Sequence, residues 1–164
     1  DRGIGMTADE VQALWQRGYD PHQFLTPELD RIQLAILKAF CQYRKPVFGI
    51  CKGMQLINIA FGGDMLRHLP TAVHHAYREK DQMHPARNEV NSFLYEVYGS
   101  DMLVNSAHHQ GVGIPGRGIR YVQYAPDGVV EGLQHEFLPV YGVQWHPERL
   151  ERDIKKLKKL FKIT

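Results

Sequence analysis

Two short motifs, far apart in the chain, contain the residues best suited to chemistry. In the first, Cys51 lies between Gly49 and Gly53, with an apolar run before it and a helix-like pattern after it. That layout is typical of a nucleophile elbow, a sharp strand-to-helix turn that other hydrolases build around serine. Glycines suit the turn because bulkier neighbours would collide with a strained backbone. The motif predicts a thiol nucleophile, although a buried cysteine in tight strand–helix packing would give the same pattern.

The second motif is His146-Pro147-Glu148. Proline biases His146 towards an extended backbone, and residues two apart in an extended chain project to the same side. The Glu148 carboxylate can then hold one ring nitrogen of His146 and direct the other towards a thiol. A surface His-Pro-Glu turn is the alternative interpretation. Together, the two motifs indicate thiol-based acyl transfer.

The residue after the cysteine adds a third element. The elbow places Cys51 at a helix N-terminus, where unpaired N–H groups favour a thiolate. The backbone N–H of Lys52 then points at the oxyanion that develops during attack. We therefore expect this N–H group to be one oxyanion donor.

The hydrophobic pattern predicts the elements that position these residues. A helix begins at Thr26-Pro27, and Pro46 forbids its continuation. The apolar run Val47–Ile50 reads as a buried parallel strand. The order helix, strand, helix, antiparallel strands and helix predicts one α/β domain over residues 1–164, with a mixed sheet. The apolar stripe of the first helix is expected to consist of Leu29, Ile32, Ile36 and Phe40. Later strands are expected at 102–105, 119–124, 129–134 and 140–145, and a last helix at 151–162. Residues 67–89 are expected to form a long loop with at most one short strand.

Composition excludes several classes of protein. The formal net charge of +2 is too small to indicate nucleic-acid binding, and no apolar run approaches the ~20 residues of a membrane span. Two cysteines, Cys41 and Cys51, indicate a reducing compartment rather than a disulfide scaffold, and no secretory signal is visible. We expect a cytoplasmic protein with neither nucleic-acid nor membrane partners.

The histidines invite a metal interpretation. None of them shows the His-Glu-x-x-His or Cys-x-x-Cys spacing of common metal motifs, so the sequence predicts no metal. The residues concerned are His68, His74, His75, His84, His108 and His109.

Five spaced motifs resemble the class I glutamine amidotransferase superfamily. The closer similarity is to its γ-glutamyl-γ-aminobutyrate hydrolase-like branch, the peptidase C26-like proteins, and it runs from about residue 20 to the C-terminus. The motifs are Pro46–Gln55, Asn58 with Gly62-Gly63, Val104–Gln110, Ala125-Pro126-Asp127-Gly128 and Gly142–Glu148.

The resemblance implies an α/β fold with a mixed, mostly parallel sheet flanked by helices. It implies hydrolysis of γ-glutamyl amide bonds through a Cys–His–Glu triad and a γ-glutamyl thioester, with a small γ-glutamyl substrate and no cofactor. By resemblance, Cys51 is the nucleophile, His146 the general base and acid, and Glu148 the orienting residue. The substrate-binding residues would be Gln55, Asn105, Ser106, His108, His109 and Gln110.

The chain departs from the family pattern in three places. Lys52 replaces a common arginine, so a bidentate contact there would be lost. Asn88-Glu89-Val90 occupies the place of a His-containing strand. Family members also carry a preceding segment with the first sheet strands and a loop that supplies the second oxyanion donor. We expect the biological protein to extend before Asp1 or, if that segment is truly absent, a homodimer that covers the exposed sheet edge.

Two other functions stay open on this reasoning. One is a glutaminase subunit that uses the same triad and passes ammonia to a synthetase. The other is a truncated, non-catalytic relative that serves as a binding module.

Overall fold

A computed structural model describes residues 27–160 of the chain and shows a six-stranded sheet with flanking helices. Within these residues the helices are α1 (Pro27–Gln42), α2 (Lys52–Ala60), α3 (Phe93–Tyr98) and α4 (Glu151–Leu160). The strands are β1 (Val47–Ile50), β2 (Met65–Leu66), β3 (Gln82–Asn88), β4 (Asp101–Ser106), β5 (Gly111–Val112), β6 (Ile119–Tyr124), β7 (Val130–His135) and β8 (Val140–Val143). Two 3₁₀ helices, Ala72–His74 and Pro147–Arg149, complete the described elements.

The main sheet has the strand order β1-β8-β7-β6-β3-β4, and β2 pairs with β5 in a separate ribbon. β1 runs parallel to β8, whereas the other pairs of the main sheet are antiparallel. The prediction of a mixed sheet is confirmed. The described strands contain fewer parallel pairs than the resemblance implied, because short connections between β6, β7 and β8 force antiparallel pairing.

β3 is longer than the sequence suggested, since residues 67–89 were expected to be mainly loop. It pairs with β4 from Gln82 to Arg87 and with β6 at its end. Asn88, at one of the departures from the family pattern, donates from Nδ2 to the Gly99 carbonyl (2.8 Å) and accepts from Gln123 Nε2 (2.8 Å). A buried amide network therefore anchors this end of β3.

The apolar stripe of α1 is not the face that the described residues bury. Leu29, Ile32, Ile36 and Phe40 are between 44% and 55% exposed, while Leu34 and Leu37 enter the core instead. The stripe borders a groove of about 490 Å³ beside β1, which is the outermost described strand at that side of the sheet. The helix prediction is confirmed, but the helix leaves apolar surface uncovered within the described part of the chain.

The other side of the fold is well filled. Trp145, which follows β8, is completely buried with Leu94, Val104 and Val122. Its indole N–H donates to Gln123 Oε1 (2.7 Å), so the end of β8 is fixed by both packing and a hydrogen bond. Between residues 27 and 160, we find no helix that combines the length and apolar character needed to cross a membrane.

The two glycines around Cys51 have different surroundings. A Cβ on Gly49 would lie 2.6 Å from the Gly53 backbone and 2.6 Å from Ile57 Cδ1, whereas a Cβ on Gly53 would meet nothing within 4 Å. The expectation that a side chain would collide is confirmed for Gly49 and wrong for Gly53. β1 and α2 thus approach each other closely at one glycine.

We predict opposite effects on stability for alanine at these two positions. Gly49→Ala should lower the free energy of unfolding by about 1–3 kcal/mol through overpacking. Gly53→Ala is the matched control, and should leave stability unchanged or raise it by up to ~1 kcal/mol because alanine suits a helix better. Urea unfolding curves of both variants measure the difference; equal midpoints would contradict the packing described.

Candidate active site

The backbone at Cys51 has the geometry of a nucleophile elbow. Cys51 caps α2 with φ 51° and ψ −106°, a conformation that non-glycine residues rarely adopt. Its N–H donates to the Val143 carbonyl (2.8 Å) and its carbonyl accepts from the Gln55 N–H (3.2 Å). Such strain costs about 1–3 kcal/mol and persists only where surrounding contacts enforce it. The predicted sharp turn is confirmed.

Parallel pairing brings the two motifs to one edge of the sheet. Ile50 pairs with Val143, so β1 and β8 end side by side. Cys51 follows β1 directly, and Gln144 follows β8 directly. The carboxyl ends of adjacent parallel strands are a usual place for functional residues in α/β proteins.

Gln144 contacts the sulfur and was not predicted as a site residue. Its Nε2 donates to Cys51 Sγ (3.4 Å), and its Oε1 accepts from Gln55 Nε2 (3.1 Å). Gln144 is completely buried. Its position, first after the strand beside the elbow, is the signal in the sequence that could have identified it.

His146 and Glu148 form the predicted pair. His146 Nδ1 lies 2.7 Å from Glu148 Oε1, and the His146 backbone N–H donates to Asn105 Oδ1 (3.2 Å). The extended geometry expected for the motif is wrong, because Glu148 belongs to the 3₁₀ helix Pro147–Arg149. The carboxylate can still fix the ring through Nδ1, which leaves Nε2 for proton transfer.

The Cys51 thiol lies in surroundings that disfavour its ionised form. Burial raises its pKa to about 11; a hydrogen bond from the Lys52 backbone opposes this shift, and the Glu131 and Glu148 carboxylates add to it. Desolvation of the thiol therefore opposes the thiolate that the helix N-terminus was expected to favour. Cys51 needs a base to act as a nucleophile.

Lys52 contributes its backbone and its side chain in different directions. Its N–H group hydrogen-bonds the Cys51 side chain, and its role as an oxyanion donor stays a prediction. Its Nζ pairs with Asp30, a completely buried carboxylate on α1. The lysine side chain thus ties α1 to the elbow.

Three of the predicted substrate-binding residues lie in the network around Cys51 and His146. Gln55 Nε2 reaches the Gln110 carbonyl (3.5 Å) as well as Gln144. Asn105 contacts His146 through Oδ1 and donates from Nδ2 to Asp81 (2.8 Å). These contacts place the side chains of Gln55 and Asn105, and the backbone of Gln110, close to the candidate catalytic groups.

The other predicted substrate-binding residues point elsewhere. His109 is exposed and lies beside His68, with ring centroids 6.2 Å apart. Ser106 and His108 are buried and face a separate cluster around Glu131. Their roles towards substrate remain predictions.

Three histidines surround the Glu131 carboxylate. His75, His84 and His108 each place a ring nitrogen 3.3–3.5 Å from Glu131 Oε1. Local spacing did not suggest this cluster, because its members come from the turn after Ala72–His74, from β3, from the segment after β4 and from β7. Of these residues, His75, His108 and Glu131 offer ligand atoms that all lie within 4.8 Å of one another, and they form a set of potential metal ligands.

Comparison with solved structures defines the class of fold. The chain is similar to a glutamine amidotransferase from Thermotoga maritima (TM-score 0.65, 17% identity, 88% of this chain and 57% of that chain). It is also similar to a glutamine amidotransferase from Methylobacillus flagellatus (TM-score 0.58, 22% identity, 77% and 48%). The fold is that of the class I glutamine amidotransferases.

Sequence comparison narrows the class to one family. The Peptidase C26 family model matches residues 12–148, and the chain belongs to this family. It is 33% identical over 130 residues to protein NtpR of Enterococcus hirae (73% of this chain, 54% of the relative). It is 33% identical over 139 residues to the γ-glutamyl-γ-aminobutyrate hydrolase PuuD of Escherichia coli K12 (74% and 53%). The chain spans about half the length of the curated relatives it matches.

The raised pKa of Cys51 predicts how its alkylation depends on pH. Only the thiolate reacts, so the rate with iodoacetamide should be low at pH 7 and rise about tenfold per pH unit without levelling off below pH 10. Mass spectrometry of the Cys51 peptide measures the rate. The control is the urea-unfolded chain, where the rate should level off above the ordinary cysteine pKa of about 8.5. A plateau below pH 8 in the folded protein would contradict the burial argument.

Proposed function

We propose that this protein hydrolyses γ-glutamyl amide bonds through a γ-glutamyl thioester on Cys51. The observation that carries the proposal is the meeting of two motifs at one sheet edge: a strained cysteine elbow bonded to β8, and the His146–Glu148 pair just beyond β8. The family supports it, because members include γ-glutamyl-γ-aminobutyrate hydrolases.

The first half of the reaction forms the thioester. His146 Nε2 takes the thiol proton while Cys51 Sγ attacks the γ-carbonyl carbon of the substrate. The Lys52 N–H hydrogen-bonds the resulting oxyanion. The imidazolium then gives its proton to the leaving nitrogen, the C–N bond breaks, and an amine departs.

The second half regenerates the enzyme. His146 takes a proton from water, whose oxygen attacks the thioester carbonyl. The C–S bond breaks, glutamate leaves, and the proton returns to the Cys51 sulfur. The high thiol pKa supports this scheme, because the proton that the leaving amine needs is already on the nucleophile at rest.

Each neighbour of the reacting groups has a positioning role in the proposal. The Glu148 carboxylate orients the His146 ring through Nδ1, and the Asn105 amide oxygen accepts a hydrogen bond from the His146 backbone N–H. Gln144 hydrogen-bonds the sulfur and is itself fixed by Gln55. The substrate is a small γ-glutamyl amine, as in the relatives named γ-glutamyl-γ-aminobutyrate hydrolase.

A glutaminase activity is the second candidate, favoured by relatives named as putative glutamine amidotransferases. The same chemistry on glutamine would release ammonia. Assays of the purified protein with γ-glutamyl-γ-aminobutyrate and with glutamine, each at equal concentration, separate the two functions. Faster turnover of glutamine, or turnover only with an added synthetase, would favour the second.

Removal of the nucleophile tests the central step. We predict that the purified protein releases glutamate from γ-glutamyl-γ-aminobutyrate and that Cys51→Ala lowers the rate by at least about 10³-fold. Cys41→Ala is the matched control and should keep the rate, since this second free cysteine lies late in α1. No release by the intact protein, or unchanged release by the Cys51 variant, would refute the proposal.

Substitutions in the histidine–carboxylate pair test proton transfer. His146→Asn should lower kcat by about 10²–10⁴-fold because the general base is lost. Glu148→Gln should lower it less, since this side chain is 47% exposed and water can partly replace its support. Glu151→Gln, an exposed glutamate of α4, is the control and should leave kcat unchanged. Stopped assays of glutamate release measure kcat for all three variants. An equal loss of kcat in Glu148→Gln and Glu151→Gln would contradict the assigned role of Glu148.

A further inference from the structure

Glu131 is buried in a way that requires compensation. It lies on β7, is completely buried, and within residues 27–160 neither of its carboxylate oxygens has a hydrogen-bond partner. A buried carboxylate without a partner costs several kcal/mol. Another charged group must therefore balance it in the folded protein.

The distances from Glu131 to its neighbours are not those of strong hydrogen bonds. Its Oε1 lies 3.3 Å from His75 Nδ1, 3.5 Å from His84 Nε2 and 3.5 Å from His108 Nε2. Charge-assisted hydrogen bonds are shorter, at about 2.7–2.9 Å. Ligands bound at about 2.0–2.2 Å to a tetrahedral zinc ion lie roughly 3.3–3.6 Å from one another. The separations from Glu131 Oε1 fit this spacing, and the ligand atoms of His75, His108 and Glu131 all lie within 4.8 Å of one another.

In each histidine ring, the inner nitrogen is the one that faces Glu131 and the outer nitrogen is the other one. Each outer nitrogen lies close to a carboxylate or carbonyl oxygen. His75 Nε2 lies 2.9 Å from Asp127 Oδ2, and His84 Nδ1 lies 3.0 Å from the Pro85 carbonyl. His108 Nδ1 lies 2.8 Å from the Gln110 carbonyl. The inner nitrogens of His84 and His108 have no hydrogen-bond partner among the described residues. Outer carboxylates or carbonyls that fix the ring, with the free nitrogen turned inwards, are typical of metal-binding histidines.

We propose that His75, His108 and Glu131 bind one divalent transition-metal ion, with the neighbouring His84 drawn in as the fourth ligand and Zn²⁺ as the best match. Three imidazoles and one carboxylate suit zinc in ligand type and number. Four protein ligands fill a tetrahedral shell, so the site is structural rather than hydrolytic. Ser106 Oγ, 3.3 Å from His75 Nδ1, is a neighbour of the site.

Charge balance supports a dication over protonated histidines. Glu131 and Asp127 both lie next to His75. One divalent ion neutralises these two carboxylates and leaves all three imidazoles neutral, which is the form that binds metal.

The position of the centre gives it a structural role. It would join β3 and β7 to the segment after β4. Asn105 at the end of β4 and Gln110 in that segment contact the candidate active site. The Glu131 carbonyl also accepts a hydrogen bond from the Gln144 backbone (2.8 Å). A cavity of about 380 Å³ adjoins the proposed site and is lined by His75, His84 and Asp127 among others.

The test is metal binding by the full chain, purified without a histidine tag and stripped with a chelator. We expect one Zn²⁺ per chain in competition with a chelating dye, and Co²⁺ should give the intense visible absorption of a tetrahedral site. Glu131→Gln and His84→Gln should weaken zinc binding at least about tenfold, and Asp127→Asn about 10–100-fold as an outer partner. His74→Gln and His68→Gln, which change exposed histidines nearby, are the controls and should bind as the parent protein does.

Several results would overturn the proposal. They are binding far from one ion per chain, equal affinity in the parent and in Glu131→Gln, and loss of binding in the His68 or His74 control. If Glu131→Gln fails to fold, Asp127→Asn and the cobalt spectrum of the parent decide the question. ¹⁵N NMR signals of an imidazolium at His75 that zinc leaves unchanged would show that a proton, not a metal, balances Glu131.

Discussion

The parallel pairing of β1 with β8 is the constraint on which the candidate active site depends. Cys51 follows β1 and the motif ending in Glu148 follows β8, so a shift of one residue in this register would separate them. The pairing also supplies the Val143 carbonyl that holds the Cys51 N–H in its strained conformation. Gly49 opposite Gly142 permits the close approach of α2 to both strands. The elbow, the His146–Glu148 pair and the N-terminus of α2 all depend on the four residue pairs that join β1 to β8.

Buried polar contacts connect the paired strands β1 and β8 to the surrounding elements. Gln144 links the sulfur to Gln55, and its backbone links β8 to Glu131 on β7. Asn105 ties the end of β4 to the His146 backbone. Polar groups in a core are costly unless fully satisfied, so a network of this kind specifies one arrangement more sharply than apolar packing does. The same argument underlies the proposal of a metal at Glu131, whose carboxylate oxygens have no hydrogen-bond partner among the described residues.

The parts of the fold set by local pattern were predictable from the sequence. Gly49, Cys51 and the apolar run before them predict the elbow. The two-residue spacing of His146 and Glu148 predicts their pairing, even though Glu148 lies in a 3₁₀ helix and not in an extended strand. The length of β3 was underestimated, because its residues are mostly polar and only Ala86 and Asn88 are buried. Gln144 and the cluster around Glu131 depend on contacts between distant strands, which no local spacing encodes. Periodicity showed that α1 is amphipathic, but not which of its faces the described residues cover.

The position of β1 at the end of the described sheet has a consequence for local stability. An edge strand of four residues opens at a lower free-energy cost than the centre of a sheet, often without global unfolding. Opening here would also release the backbone strain stored at Cys51, which lowers that cost further. The lifetime of the reactive geometry is then set by fluctuations of this strand and by whatever restrains its outer edge. The melting temperature of the whole protein is a poor guide to that lifetime.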